Sequence, residues 1–294
     1  MNCIKRVLKD YQSVINKGID YYLPTQEKLP PLIHDSMRYS ALSDGKRIRP
    51  ILLLETCKML SGSFEQALPT AVAVEMAHCF TLIHDDLPSI DNDDLRRGMP
   101  TNHKLYGEAI ALLAGDALII DAFRIISKYQ EPKDLVHKVI MILSESLSSK
   151  GVIGGQVADI LAEKETLEHN LELLKYIHTN KTAKLIQASI ALGAIIGGAS
   201  DKETDKLSKA GLYLGLAFQI KDDILDIEGD VVTLGKNIGR DQLLGKLTYP
   251  KIIGLEQSKE ELEILRKMAF DQVSDFVKSN NLKLIFEFLI NRNY

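Results

Sequence analysis

The chain has 294 residues, 45% of them apolar and 26% charged, with a net charge of -4. That is enough apolar material for a sizeable core, and the mild acidity excludes a basic nucleic-acid surface as the organising feature. Three cysteines, Cys3, Cys57 and Cys79, show no metal-site spacing, and their odd number argues against a disulfide framework, so a reducing cytoplasm is the expected compartment.

In chain order, helical periodicity dominates and sustained alternation is hard to find. Residues 2–22 predict an amphipathic first helix, stopped near Pro24. Pro30-Pro31 opens a second, running to about Leu42. Asp44 to Pro50 then forms a turn with three cations, Lys46, Arg47 and Arg49. A third helix is expected from Ile51 to Leu60, closed by Ser61-Gly62. A long apolar helix runs from about Pro69 into an aspartate cluster. Further helices are expected over 107–129, 133–149, 156–161, 171–179 and 182–196, with Gly151 and Gly154-Gly155 as punctuation. Ser200-Asp201-Lys202-Glu203 has capping-box spacing and should start a helix reaching Asp226; Ser258-Lys259-Glu260-Glu261 is a second such signal. The most apolar run, Leu185 to Ser200, is shorter than the ~20 residues a bilayer span needs, so no transmembrane segment is expected. Ten or more helices with short connections, and no shift in composition, predict one all-α domain over residues 1–294.

Two stretches carry the chemistry. Asp85 to Arg97 holds five aspartates (Asp85, Asp86, Asp91, Asp93 and Asp94) followed by Arg96 and Arg97, at the end of an apolar helix. Gln219 to Asp226 repeats the theme, with Asp222, Asp223 and Asp226. Residues four apart on a helix differ by about 40° in direction, so Asp222 and Asp226 share a face with Gln219 one turn earlier. Carboxylates that close repel, and divalent cations with a preference for oxygen ligands remove that cost. Asp85 and Asp91 would lie roughly 120° apart on a regular helix. Pro88 interrupts the helix between them, so a local turn can return Asp91 towards Asp85. His78 lies two turns before Asp85. Cations flank these motifs: Lys46 and Arg49, Arg96 and Arg97, Lys181 beside Thr182, and Lys236. Arginine forks and lysine charges match phosphate oxygens. A single acidic motif or lone cation more often marks a solvated surface. Two motifs with this many cations point to metal-bound, highly anionic substrates.

In these segments the chain resembles the short-chain trans-prenyltransferases (polyprenyl synthases), most closely those of the bacterial farnesyl diphosphate synthase type. The matching residues are Gly45 to Pro50, His78 to Arg97 with Thr101-Asn102-His103, Gly154-Gly155-Gln156, Lys181-Thr182, Gln219 to Asp226, Thr233-Leu234-Gly235-Lys236, and Leu244 to Pro250. The resemblance implies a mostly antiparallel helix bundle around a deep central cavity, usually a homodimer. It implies Mg2+, three ions per site, held by Asp85, Asp86, Asp91 and Asp222 with Asp223 and Asp226 in support. Arg96, Lys181 and Lys236 would hold an allylic diphosphate (dimethylallyl or geranyl). Lys46, Arg49, His78 and Arg97 would hold isopentenyl diphosphate. Thr182 and Gln219 would flank the reacting carbons. Phe80, with Thr81, would floor the product tunnel, and an aromatic there goes with a fifteen-carbon product, farnesyl diphosphate. A ten- or twenty-carbon synthase, or a regulatory subunit of a heteromeric synthase, is the alternative. Family members often end in a basic tail that closes over the site; Arg292 is the one cation near this C-terminus, so no such closure is expected. A di-iron bundle would need a second Glu-x-x-His beside Glu75–His78, and a terpene cyclase a different second motif.

Overall fold

In the structure, a computed structural model describing residues 2–164, 166–228 and 246–292, the chain forms two compact units. The first comprises Met1–Lys58 with Gly62–Ile140, the second Met59–Ser61 with Met141–Tyr294.

The first unit is built on α4 (Leu68–Asp85). Pro69 lies in its first turn, where a missing N–H costs nothing. Nearly every residue from Pro69 to Phe80 is buried, so the helix is enclosed on all sides rather than on one stripe. Its main partner is α6 (Glu108–Tyr129); α1 (Asn2–Tyr22) and α2 (Pro31–Ala41) pack on it as well. The segment Glu65–Asp85 is long and apolar enough to cross a membrane, but most of it is buried within the protein. It also carries Glu75, which pairs with Arg47 at 2.7 Å where both side chains are dry. A core helix accounts for it. α3 (Ile48–Ser61) starts three residues earlier than expected and ends on Gly62 at φ 86°, a left-handed position suited to glycine. Between α4 and α6 lie a two-residue hairpin, β1 (Leu95–Arg96) with β2 (Met99–Pro100), and the short α5 (Asn102–Tyr106). Neither was expected: strands of two residues have no periodicity to read. α7 is Val136–Leu147.

The second unit centres on α10 (Lys184–Ile196) and α11 (Asp201–Glu228). The capping box opens α11 as expected: the Ser200 N–H donates to Glu203 Oε2 at 2.9 Å, and the Glu203 N–H to Ser200 Oγ at 3.3 Å. The second proposed box is not one. α13 (Leu255–Val273) begins after Gly254, and Ser258 lies inside it, donating to the Gly254 carbonyl at 2.7 Å. α12 is Tyr249–Ile253 and α14 is Asn280–Ile290. Gly154 and Gly155 also differ from expectation. They lie within α8 (Val152–Glu163) rather than interrupting the chain.

Their reason is close approach. After α9 (Leu171–Ile177), residues His178–Ala183 form a π-helical turn before α10. A Cβ on Gly155 would lie 2.2 Å from the Lys181 nitrogen, and one on Gly215 of α11 would lie 2.5 Å from the Ala183 Cα. Two glycines on two helices therefore let this turn pack backbone against backbone. Such π turns concentrate at functional positions, and this one carries Lys181 and Thr182.

Candidate active site

Asp85 ends α4 and Asp86 caps it. The chain then folds back so that the Asp91 N–H donates to the Asp85 carbonyl at 2.9 Å, and Asn92 takes a left-handed φ of 50°. This is the turn that Pro88 suggested, and it returns Asp91 to Asp85. Asp86 is buried and gripped by Arg96, with Nε at 2.7 Å and 2.8 Å from its two oxygens and a terminal nitrogen at 2.6 Å. Burial raises the Asp86 carboxyl above its ordinary value, although the Arg96 fork opposes the shift. A small cleft beneath the hairpin is lined by Tyr39, Cys79, Leu82, Asp86, Arg96 and Arg97.

A second cluster in the same unit is cationic. Arg97, at φ 54°, lays its guanidinium on the turn at Gly45, where any Cβ would come within 2.5 Å of it. It also donates to Ser43 Oγ at 3.3 Å. Arg49 reaches His78 Nε2 at 3.2 Å, which requires that nitrogen to accept. Burial, followed by the charges of Arg49 and Arg97, pushes His78 well below its ordinary value and keeps it neutral. Burial and Arg97 also lower Arg49, with Glu75 opposing. Arg49 Nε is buried with no hydrogen-bond partner. Among the described residues neither Arg49 nor Arg97 makes an ion pair, so this is a positive cluster that an anion would relieve. Arg47, its sequence neighbour, is different. It is consumed by Glu75, Asn16 and the carbonyls of Ala41 and Ser43, and it holds the turn that presents Lys46 and Arg49.

In the second unit Lys181 Nζ donates to Asp159 Oδ2 at 2.5 Å. Thr182 Oγ1 donates to Gln219 Oε1 at 2.9 Å, and Gln219 Nε2 to Asp223 Oδ1 at 3.3 Å. Asp223 is buried, and its other oxygen accepts the Tyr249 N–H at 2.9 Å. His178 stands 3.6 Å from that oxygen, its ring 5.3 Å from the Tyr249 ring. Burial drives His178 down to about 3. Asp222 pairs with Arg292 at 2.6 Å, and Arg292 also donates to the Phe218 carbonyl at 3.0 Å and covers the Phe218 ring at 3.6 Å. The tail expectation is corrected here: its one cation does reach the second aspartate motif. Sequence reasoning passed over His178 and did not pair Lys181 with Asp159. The signal for His178 was its place one turn before Lys181. Lys236 lies outside the described residues.

Phe80 is buried in α4 with its ring edge-on to His84 at 4.9 Å. His84 points to α6, where its Nε2 is 3.0 Å from the Leu112 carbonyl and fills the space that Gly115 leaves. Thr81 donates its hydroxyl back to the His78 carbonyl at 2.8 Å.

Among the described residues no group of three or more His, Cys, Asp or Glu side chains is drawn together as a metal site. The donors are nonetheless carboxylate oxygens, the type that suits a hard divalent cation. Asp85, Asp91 and Asp226 keep partial exposure, whereas Asp86 and Asp222 are held by arginines. In donor chemistry the residues fit such an ion.

Comparison with known proteins finds relatives along most of the chain. The model of the polyprenyl synthetase family matches residues 30–285. The heterodimeric geranylgeranyl pyrophosphate synthase large subunit 1 of Arabidopsis thaliana is 47% identical, over 90% of this chain and 72% of that one. A geranylgeranyl diphosphate synthase of Cyanophora paradoxa is 45% identical, over 98% and 94%. Among solved structures, the apo FPP/GFPP synthase of Zymomonas mobilis superposes with a TM-score of 0.88 at 32% identity, covering 98% of each chain.

Proposed function

The chain belongs to the polyprenyl synthetase family, and from that premise we propose that it elongates an allylic diphosphate with isopentenyl diphosphate to the twenty-carbon geranylgeranyl diphosphate. Its fold is the all-α isoprenoid-synthase bundle, and it is a prenyltransferase. One observation carries the substrate class: the cluster of Arg49, Arg97 and neutral His78, with a buried guanidinium nitrogen lacking a partner. Such a cluster asks for a multiply charged anion, and a diphosphate supplies it. Lys46, Arg49, His78 and Arg97 would hold isopentenyl diphosphate. Arg96, Lys181 and Lys236 would serve the allylic diphosphate. Arg96 and Lys181 pair with Asp86 and Asp159, carboxylates that orient both cations. Mg2+ ions, on Asp85, Asp86 and Asp91 of the first motif and on Asp222 of the second, would supply the positive charge that a departing diphosphate needs. Thr182 and Gln219 would then line the reacting carbons, and apolar walls would keep water from the allylic cation.

The twenty-carbon product is supported by the names of the relatives at 45% identity and above. A fifteen-carbon product is the second reading, and it would follow if Phe80, buried five residues before Asp85, floors the product tunnel. A homodimer is proposed on the exposed apolar side chains of α6, Leu112, Leu113 and Ile120, which suit a second copy.

The test is a product analysis. Purified protein receives isopentenyl and dimethylallyl diphosphates with and without Mg2+, and products are sized by mass spectrometry. Geranylgeranyl diphosphate, formed only with the metal, is the expected result. Farnesyl diphosphate as the end product would move the reading to the Phe80 floor. No prenyl product from folded, metal-loaded protein would overturn it.

A further inference from the structure

The second aspartate motif contains one carboxylate that does not behave like its neighbours. Asp222 and Asp226 are partly exposed on α11, whereas Asp223 is 2% exposed. Its oxygens face N–H donors: Gln219 Nε2 at 3.3 Å on one and the Tyr249 backbone N–H at 2.9 Å on the other. The imidazole of His178 lies 3.6 Å away, too far for a hydrogen bond, and closes the space beside the Tyr249 ring.

A carboxylate accepts hydrogen bonds and donates none. The side of the Gln219 amide that meets Asp223 must therefore be its NH2. The opposite side, its carbonyl oxygen, must meet Thr182, and it accepts the Thr182 hydroxyl at 2.9 Å. Reversing the amide would set a carbonyl oxygen against a carboxylate and an NH2 against Thr182. Direction thus passes along one chain, from Asp223 to Gln219 to Thr182. At its end the Thr182 hydrogen is committed to Gln219, and the lone pairs of its oxygen remain.

We propose that Asp223 is a positioning residue that fixes the Gln219 amide and, through it, the Thr182 hydroxyl, so that oxygen lone pairs rather than an N–H or O–H face the carbons that become cationic. This rests on the allylic ionisation proposed above. An oxygen dipole aimed at developing positive charge stabilises it, and a donor aimed there opposes it. Asp223 acts from behind, touching neither substrate nor metal.

A donor–acceptor swap tests this. Asp223→Asn permits an NH2 to face Gln219 and the amide to reverse. Gln219→Glu sets two carboxylates together. The double variant Asp223→Asn/Gln219→Glu restores the chain with its first bond reversed: Asn donates to Glu, and Glu accepts from Thr182. Steady-state kinetics with both diphosphates and calorimetric titration of Mg2+ with inorganic diphosphate are run on all three and on Asp222→Asn.

The expected result is a fall in kcat of roughly 10- to 100-fold in each single variant, the cost of a misplaced group. KM and the affinity for Mg2+ with diphosphate should stay within about two-fold, and the double variant should recover most of the kcat. Loss of Mg2+–diphosphate affinity in Asp223→Asn matching that in Asp222→Asn would make Asp223 a metal ligand and sink the proposal. So would a double variant no faster than the slower single one. If thermal melting shows that Asp223→Asn does not fold, the comparison of Gln219→Glu with the double variant decides. A wild-type chain that makes no prenyl product overturns the reading of the reaction instead. An active wild type without rescue overturns the role of Asp223 alone.

Discussion

His178 is a core imidazole whose environment makes stability depend on pH. Burial depresses it from an ordinary 6.5 to about 3. Between those values the unfolded chain takes up a proton that the native state refuses, so stability is lost as pH falls below about 6.5. At about pH 5 the loss from this one group is about 2 kcal/mol. His78 is shifted in the same direction by burial and its arginine neighbours and adds to the effect. Denaturant melts of wild type and His178→Phe at about pH 7.5 and pH 5 measure it. The variant keeps a ring against Tyr249 and should show a pH dependence smaller by about 2 kcal/mol; an unchanged difference would mean His178 is not held neutral. Phe80 poses the other question at this scale. Its ring packs on His84 towards α6, which favours a core role over a tunnel floor. Phe80→Ala should then cost about 3–5 kcal/mol in urea melts and leave product length unmoved. A lengthened product would restore the floor.

The π-helical turn His178–Ala183 is the element on which the second unit's chemistry depends. It widens one turn of helix and places Lys181 against Asp159 and Thr182 against Gln219. Its seat is made by what Gly155 and Gly215 lack. Gly155→Ala would set a Cβ 2.2 Å from the Lys181 nitrogen, and backbone cannot swing aside as a flexible side chain can. A destabilisation of about 1–3 kcal/mol is expected, with a fall in kcat of about ten-fold or more in the folded fraction. Calorimetric melting and kcat on the same preparation separate the two. A variant with normal kcat would show that the turn tolerates displacement. Gly155 reads as punctuation in the sequence because a glycine needed for close approach and one needed for a break look alike until the partner is seen.

At the scale of the whole molecule, each unit carries one aspartate motif, and the proposed reaction asks for both. Asp222→Asn leaves Arg292 an oxygen to bind, so its fold should survive. Turnover should fall by about 100-fold or more, and raised Mg2+ should recover part of it. Chelation of divalent metal from the wild type should abolish turnover reversibly. Activity that persists through chelation, with Asp222→Asn near wild type, would refute the metal role of this motif.

The sequence by itself determined much of this protein. Helix ends at Tyr22, Gly62 and Ser200, the long apolar α4, both aspartate motifs and the cations around them were all legible. Their signals lie within a few residues of one another: a proline at a first turn, a glycine at a last one, a Ser-x-x-Glu, an Asp one turn from an Asp. Even the return of Asp91 to Asp85 was foreseeable from Pro88. Only the tertiary structure decided which charge meets which. Arg47 is spent on Glu75 while Arg49, two residues on, is not. Arg96 lies on Asp86, and Arg292 closes on Asp222 from 70 residues away. Asp223 turns inward to Gln219 and Tyr249 while Asp222 turns out. A carboxylate in a motif has no local mark of its partner. Burial and long-range packing choose it, because a charge taken out of water must find whichever donor the fold brings within reach.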